Sequence, residues 1–162
     1  MKVEYLFSRN KKIGSRLIAW ASKYENLDMD NLPSHMAVLI DETWVIESTL
    51  FTGVRIIPYT NWLLKNEELY KIKCPRDRES KHTLKTAFSV WGKGYDWFGI
   101  AYFAYSFLRL MFFKEPLPLK NKWQRNNKYF CTEYAGKLTG QDFSMYSPAR
   151  ICKEWLNIGD EK

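Results

Sequence analysis

The apolar residues change period midway along the chain, and this limits what it can fold into. Up to Cys74 they fall into short β-rich runs at residues 3–7, 36–40, 43–47, 53–58 and 69–74. The second and third runs are joined by Asp41-Glu42, which reads as a hairpin, and Pro58 ends the fourth. In the fifth, Leu69, Lys71 and Lys73 alternate against Tyr70, Ile72 and Cys74. One helix interrupts this series, at 14–23, where Ile13, Leu17, Ile18 and Trp20/Ala21 fall at helical spacing. A polar loop at 26–33 follows and closes on Pro33. Beyond Glu79 the period is helical. Residues 79–91 form a helix stopped by Gly92 and Gly94, 98–113 a second, and 131–138 a third ended by Gly140. Ser147 caps a last helix with Pro148 in its first turn. Strands first and helices later describe an α+β domain with a small antiparallel sheet packed by helices. The length of 162 residues has room for one such domain, and 46 % hydrophobic with 27 % charged residues excludes wholesale disorder.

Residues 98–113 are almost wholly apolar and aromatic, broken by Ser106 and Arg109. This run is shorter than the roughly twenty residues that span a bilayer, and it carries a charge. It reads as a buried helix or amphipathic lid, or as a contact for lipid or a greasy substrate. In the loop that follows, at 114–128, Lys114, Lys120, Lys122, Arg125 and Lys128 outnumber Glu115, with Trp123 among them. That loop is either solvated or an anion-binding flap. The net charge of +7 favours an anionic partner: nucleic acid, anionic lipid or a wall polymer. No nucleic-acid-binding module is recognisable and the basic residues form no continuous helix face, so nucleic acid is the least favoured of the three. The opening Met1-Lys2-Val3-Glu4-Tyr5 has no apolar signal core, which suggests a cytoplasmic protein or one peripheral to a membrane.

Three widely spaced cysteines do not make a disulfide scaffold, and with two histidines they do not make a closed structural zinc site. No metal or other cofactor is expected. Cys74 and Cys152 read as small buried hydrophobes. Cys131 differs, because it opens a helix. There the unpaired N–H groups and the positive end of the dipole favour a thiolate, and the same N–H groups can receive an oxyanion. It is a structural cysteine or a nucleophile. A thiol nucleophile needs a base. His82, in Ser80-Lys81-His82, reads as a solvated surface residue. His35 stands at the mouth of an apolar strand, as a hydrogen-bonded structural histidine or as a general base held in one orientation. Glu47 ends the apolar run of the partner strand, as an edge charge or as the group that holds the other ring nitrogen.

Ser34-His35-Met36-Ala37-Val38, Val45-Ile46-Glu47-Ser48, Gly53-Val54, Gly94-Tyr95-Asp96, Tyr129-Phe130-Cys131-Thr132-Glu133 and Ser147-Pro148 together resemble the permuted NlpC/P60 papain-like family, the YiiX/YaeF-type hydrolases. In that family the histidine strand precedes the cysteine helix, and the order His35, Glu47, Cys131 matches it. The resemblance covers about residues 5–155. It implies a circularly permuted papain-like domain over 1–162, with the apolar helix and basic loop at about 97–128 as a departure. It further implies Cys131 as nucleophile, His35 as base and Glu47 as the orienting group, with Ser34, Asp96 and Glu133 supporting them. Tyr95, with Trp123 and Lys128 of the basic loop, would meet the substrate. The activity implied is that of a thiol hydrolase, an amidase or peptidase working through a cysteine thioester on an amide bond such as one in cell-wall peptide. Two alternatives stand beside it. One is a lipid acyltransferase or phospholipase, because lecithin:retinol acyltransferase-like proteins are similar in fold and also carry a greasy segment. The other is a non-catalytic protein that binds an anionic polymer.

Overall fold

The computed structural model describes residues 2–11, 13–25, 27, 29–73 and 80–160, of which 13, 14, 80–84, 139 and 157–160 are described by their backbone alone. In chain order the elements are β1 (Val3–Arg9), α1 (Ile13–Ser22), β2 (His35–Ile40), β3 (Trp44–Thr49), β4 (Gly53–Pro58), α2 (Tyr59–Leu63), β5 (Glu67–Lys73), α3 (Ser80–Val90), α4 (Trp97–Phe113), α5 (Cys131–Thr139) and α6 (Pro148–Asp160). The strands form one antiparallel sheet in the order β4-β3-β2-β1-β5. The fold is thus α+β, with five antiparallel strands and six helices among the described residues.

Strand alternation gives the sheet two apolar faces. Tyr5, Phe7, Val38 and Ile46 point to one, where α3, α5 and α6 cover them; Trp155 of α6 meets Tyr5 and Phe7 edge-on, with centroids 4.9 and 5.9 Å apart. Leu6, Ala37, Leu39 and Val45 point to the other face, under Trp62 of α2. The β2–β3 turn takes in Asp41, Glu42 and Thr43, one residue more than a hairpin at Asp41-Glu42 alone, with Asp41 and Glu42 at positive φ (46° and 56°) and Ile40 opposite Trp44.

Two differences from the sequence reading have local causes. The five-residue α2 was not foreseen: it is too short for a periodic signal, and the burial of Trp62 against the sheet holds it in place. Strands β1 and β5 both run further than the apolar runs, because the Arg9–Glu67 register pair, joined by an ion pair of 2.8 Å, extends their ladder. Cys74 lies outside the described residues, and so does the side chain of His82.

One glycine joins the sheet to the helical half. Gly53 has φ +63°, and a Cβ there would sit 2.1 Å from the Lys93 carbonyl oxygen. The segment at 92–94 docks on β4 through Val54 N–H to Lys93 O (2.9 Å) and Gly92 N–H to Val54 O (3.0 Å). Gly94 then bridges Lys128 and accepts the Tyr129 N–H (3.1 Å), two residues before α5. The chain entering Cys131 is therefore placed from Gly53. Replacing Gly53 by Ala should cost at least about 1–3 kcal/mol from the left-handed conformation alone, with the clash added to it. Denaturant unfolding of Gly53→Ala checks this, and a change below about 0.5 kcal/mol would show that the 92–94 segment does not bear on stability.

Candidate active site

The site is built on one row of the sheet. In the β2–β3 register Ala37 stands opposite Glu47, and in the β3–β4 register Glu47 stands opposite Arg55. His35 is two residues before Ala37, so it shares that face and sits diagonally from Glu47. The diagonal closes into a hydrogen bond of 2.8 Å between His35 Nε2 and Glu47 Oε2. Trp62 Nε1–H donates to the same oxygen at 3.1 Å, and Arg55 donates to Oε1 through Nε (2.9 Å) and Nη2 (2.5 Å). Glu47 is 1 % exposed, and both its oxygens are occupied by donors. It is therefore not an edge charge but a buried, fully paired carboxylate. Burial alone would raise its pKa; His35 and Arg55 outweigh that and hold it down at about 2.

The cysteine comes from the opposite side of the same strands. Ser48, next to Glu47 but on the other face of β3, donates to the Tyr129 carbonyl at 2.5 Å and fixes the chain that leads into α5. Cys131 is the first residue of α5, which packs on β2 and β3. Glu133 reaches back to accept the Phe130 N–H at 3.2 Å; Phe130 offers no acceptor in return, so this is half of a capping box. Cys131 is 8 % exposed and lies close enough to His35 to act on its imidazole. With Nε2 taken by Glu47, the nitrogen left to the sulfur is Nδ1. Burial would push the His35 imidazole down, but Cys131 beside it, its hydrogen bond to Glu47 and the charges of both hold it well above the ordinary range. By contrast Cys152 is wholly buried, and burial pushes its thiol up to about 12.

The remaining candidates divide into two groups. Tyr95, Asp96 and Glu133 gather around Cys131. Burial raises the Tyr95 phenol, and the charges of Cys131, Glu133 and Asp96 add to this, so the phenol remains an O–H donor. Asp96 caps α4 by accepting the Gly99 N–H (3.0 Å) and also accepts the Arg125 N–H (2.9 Å). Ser34 supports the site from the other side: its hydroxyl bonds that of Ser15, and its N–H donates to Ser8 O (2.9 Å), which fixes the start of β2. Ser15 also lines a cleft of about 1210 Å³ between α1 and α2, whose walls include Arg16, Lys23 and Lys65. Trp123 and Lys128 belong to the loop between α4 and α5. Trp123 stacks on Tyr105 of α4 (6.3 Å, 11°), and the Lys128 stem lies over Gly94. Arg55 and Trp62 were not singled out from the sequence. The charge of Arg55 inside an apolar strand was the available signal, and Trp62 had none. Among the described residues no group of three His, Cys, Asp or Glu is placed to hold a metal ion.

Comparison with family models, with curated proteins and with solved structures finds no match to this chain.

Glu133 has a pH signature of its own. Burial raises its carboxyl, the charges of Asp96, Cys131 and Asp142 add to this against the Phe130 N–H, and the result is about 9. Its Oε1 is buried without a hydrogen-bond partner, as suits a neutral acid. The folded value lies above the unfolded one of 4.5, so folding takes up a proton. This contribution is fully present below about pH 4.5 and is lost as pH rises towards 9. Glu133→Gln keeps an acceptor for Phe130 without the proton. It should exceed the parent in stability at pH 8 by more than about 1 kcal/mol and lose that advantage by pH 5. Urea unfolding at the two pH values measures it, and a pH-independent difference would show that Glu133 is ionised.

Proposed function

We propose that this protein is a thiol-dependent acyl hydrolase, with Cys131 as nucleophile, His35 as proton carrier and Glu47 as the group that orients the imidazole. The observation that carries the reading is the line Cys131–His35–Glu47, in which Glu47 holds one ring nitrogen of a histidine that Cys131 adjoins. The thiol proton resides on His35 Nδ1 in the resting pair, and the sulfur attacks the carbonyl carbon of an amide or ester. The tetrahedral oxyanion forms at the start of α5, beside the first-turn N–H groups and the Tyr95 phenol. His35 then protonates the leaving nitrogen or oxygen as the C–N or C–O bond breaks, which leaves a thioester on Cys131. Water, deprotonated by His35 Nδ1, cleaves the thioester, which releases the acid, frees the Cys131 sulfur and leaves the proton on the ring as at the start. Throughout, Glu47 stays ionised. It keeps Nε2 protonated so that Nδ1 is the nitrogen that works, and it stabilises the imidazolium.

The chain order His35, Glu47, Cys131 supports assignment to the permuted papain-like hydrolases, and the antiparallel sheet with a cysteine-bearing helix across it suits that fold. An amide of the kind found in wall peptide is the substrate this resemblance implies. The second reading, acyl transfer from a lipid ester, is favoured by the exposed apolar residues of α4, whose N-cap Asp96 lies beside Cys131.

The test is turnover of a peptide amide and of a lipid ester, with mass spectrometry of the stalled enzyme. Cys131→Ala and His35→Ala should each lower kcat at least about 10²–10⁴-fold, and a quenched reaction should show an acyl group on Cys131. Glu47→Gln should lose activity and also about 3 kcal/mol of stability, because an amide cannot accept from Arg55, Trp62 and His35 together. Undiminished turnover in His35→Ala would overturn the assignment. Ligand binding that survives Cys131→Ala, with no turnover by the parent, would favour the polymer-binding alternative.

A further inference from the structure

Helix α4 is apolar all round, and only one side of it is buried. Tyr102, Phe103, Ser106 and Phe107 face the protein, packed with Met145 and, from α1, Ala21. The other side, at i, i+3/i+4 and i+7, presents Trp97 and Phe98, then Ala101, Ala104 and Tyr105, then Leu108, then Phe112. Phe112 is 71 % exposed, and Phe113 just after it 72 %. A helix without a polar face is stable only where something apolar meets its outer side. The single charge on that side, Arg109, is paired with Glu115.

The basic loop folds back along this helix. Asn121, buried, donates to the Gly99 carbonyl at 2.7 Å; Trp123 stacks on Tyr105; and the Arg125 guanidinium lies 3.6 Å over the Phe98 ring. These three contacts hold the loop against α4, so its exposed cations Lys114, Lys120, Lys122 and Arg125 border the apolar stripe. Leu119, 92 % exposed, stands beside Lys120.

We infer that α4 and the 114–128 loop form a docking surface for an anionic membrane, with the outer stripe of α4 lying in the interface and the loop lysines on the phospholipid headgroups. Charge complementarity selects this occupant. A second copy of the chain related by a two-fold axis through α4 would bring one cationic loop towards another, on a protein already at +7. A neutral apolar partner would leave the cations without a counter-charge. Among the described residues no helix is long and apolar enough to cross a membrane, so α4 lies on the surface rather than spanning it. Trp97 and Tyr105 suit the headgroup level, where rings with a polar edge gather. This inference does not rest on the thiol chemistry and stands or falls without it.

The experiment is flotation of the whole protein with vesicles of phosphatidylcholine alone and with 30 % phosphatidylglycerol, at low and high salt. Binding is expected to the anionic vesicles, weakened by salt. Lys120→Gln with Lys122→Gln should weaken it about fivefold per lysine at low salt, from roughly 1 kcal/mol for each cation near a charged surface. Leu108→Glu with Phe112→Glu should abolish it while circular dichroism and the unfolding midpoint remain those of the parent. If the glutamate pair fails to fold, Phe112→Ser alone should still lower the bound fraction measurably. Cys131→Ala should bind as the parent does, which separates failure of docking from failure of the catalytic reading. Absence of binding under every condition would overturn the inference. So would a dimer in the parent that Phe112→Ser converts to monomer, because the stripe would then be covered by a second copy.

Discussion

A carboxylate that is 1 % exposed has to be paid for locally, and the arrangement around Glu47 does so with four hydrogen bonds from β2, β4 and α2. Isolated in an apolar interior, such a charge would cost several kcal/mol or take up a proton. Here the Arg55 guanidinium balances it, and the Trp62 indole fills a lone pair that water would otherwise occupy. The remaining direction is left to His35, whose ring is thereby fixed in tautomer and in plane. The geometry at the sulfur follows from this: a ring held at Nε2 can only present Nδ1 to Cys131. The short helix α2, marginal by itself, is kept because Trp62 completes this shell as well as the apolar face beneath it.

The second half of the molecule is attached to the site through close backbone contacts. A Cβ on Gly99 would lie 2.7 Å from Asp96 Oδ2 and 3.0 Å from Glu133 Oε1, so a larger residue there would displace both acid side chains. Asp96 serves α4 through the Gly99 N–H and the basic loop through the Arg125 N–H. Glu133 serves the N-terminus of α5. Burial, with the two acids so close together and close to Cys131, keeps Glu133 neutral and Tyr95 a phenol. The apolar helix, the cationic loop and the nucleophile therefore form one connected region, joined by polar groups that would not tolerate a shift of one residue.

Much of this was legible from residues alone, and the parts that were not share a cause. His35 and Glu47 stood out as polar groups at the ends of apolar runs and Cys131 as a cysteine opening a helix, but a two-residue hairpin at Asp41-Glu42 would set Met36 opposite Glu47; the turn takes in Thr43 as well, and that one-residue shift is what brings His35 and Glu47 to one face. The sheet was legible because its runs are short and are separated by turn residues. Arg55 and Trp62 became partners of Glu47 only through the β3–β4 register and a helix of five residues, neither of which leaves a periodic trace. Asn121 looked like one more polar residue in a basic loop; its burial against Gly99 depends on a tertiary contact. The outer face of α4 was ambiguous for a physical reason: a stretch apolar on every side does not reveal which side the protein will cover.

The central claim is that Glu47 and Cys131 hold His35 as an imidazolium at neutral pH. The most direct measurement is ¹⁵N nuclear magnetic resonance of the histidine side chains. The chain has two histidines, and His35→Ala assigns the signal. The account predicts that at pH 7.5 both ring nitrogens of His35 carry protons, and that the ring gives up its proton only well above the ordinary imidazole range. A His35 signal showing one neutral tautomer at pH 7.5, with a midpoint near 6.5, would contradict it.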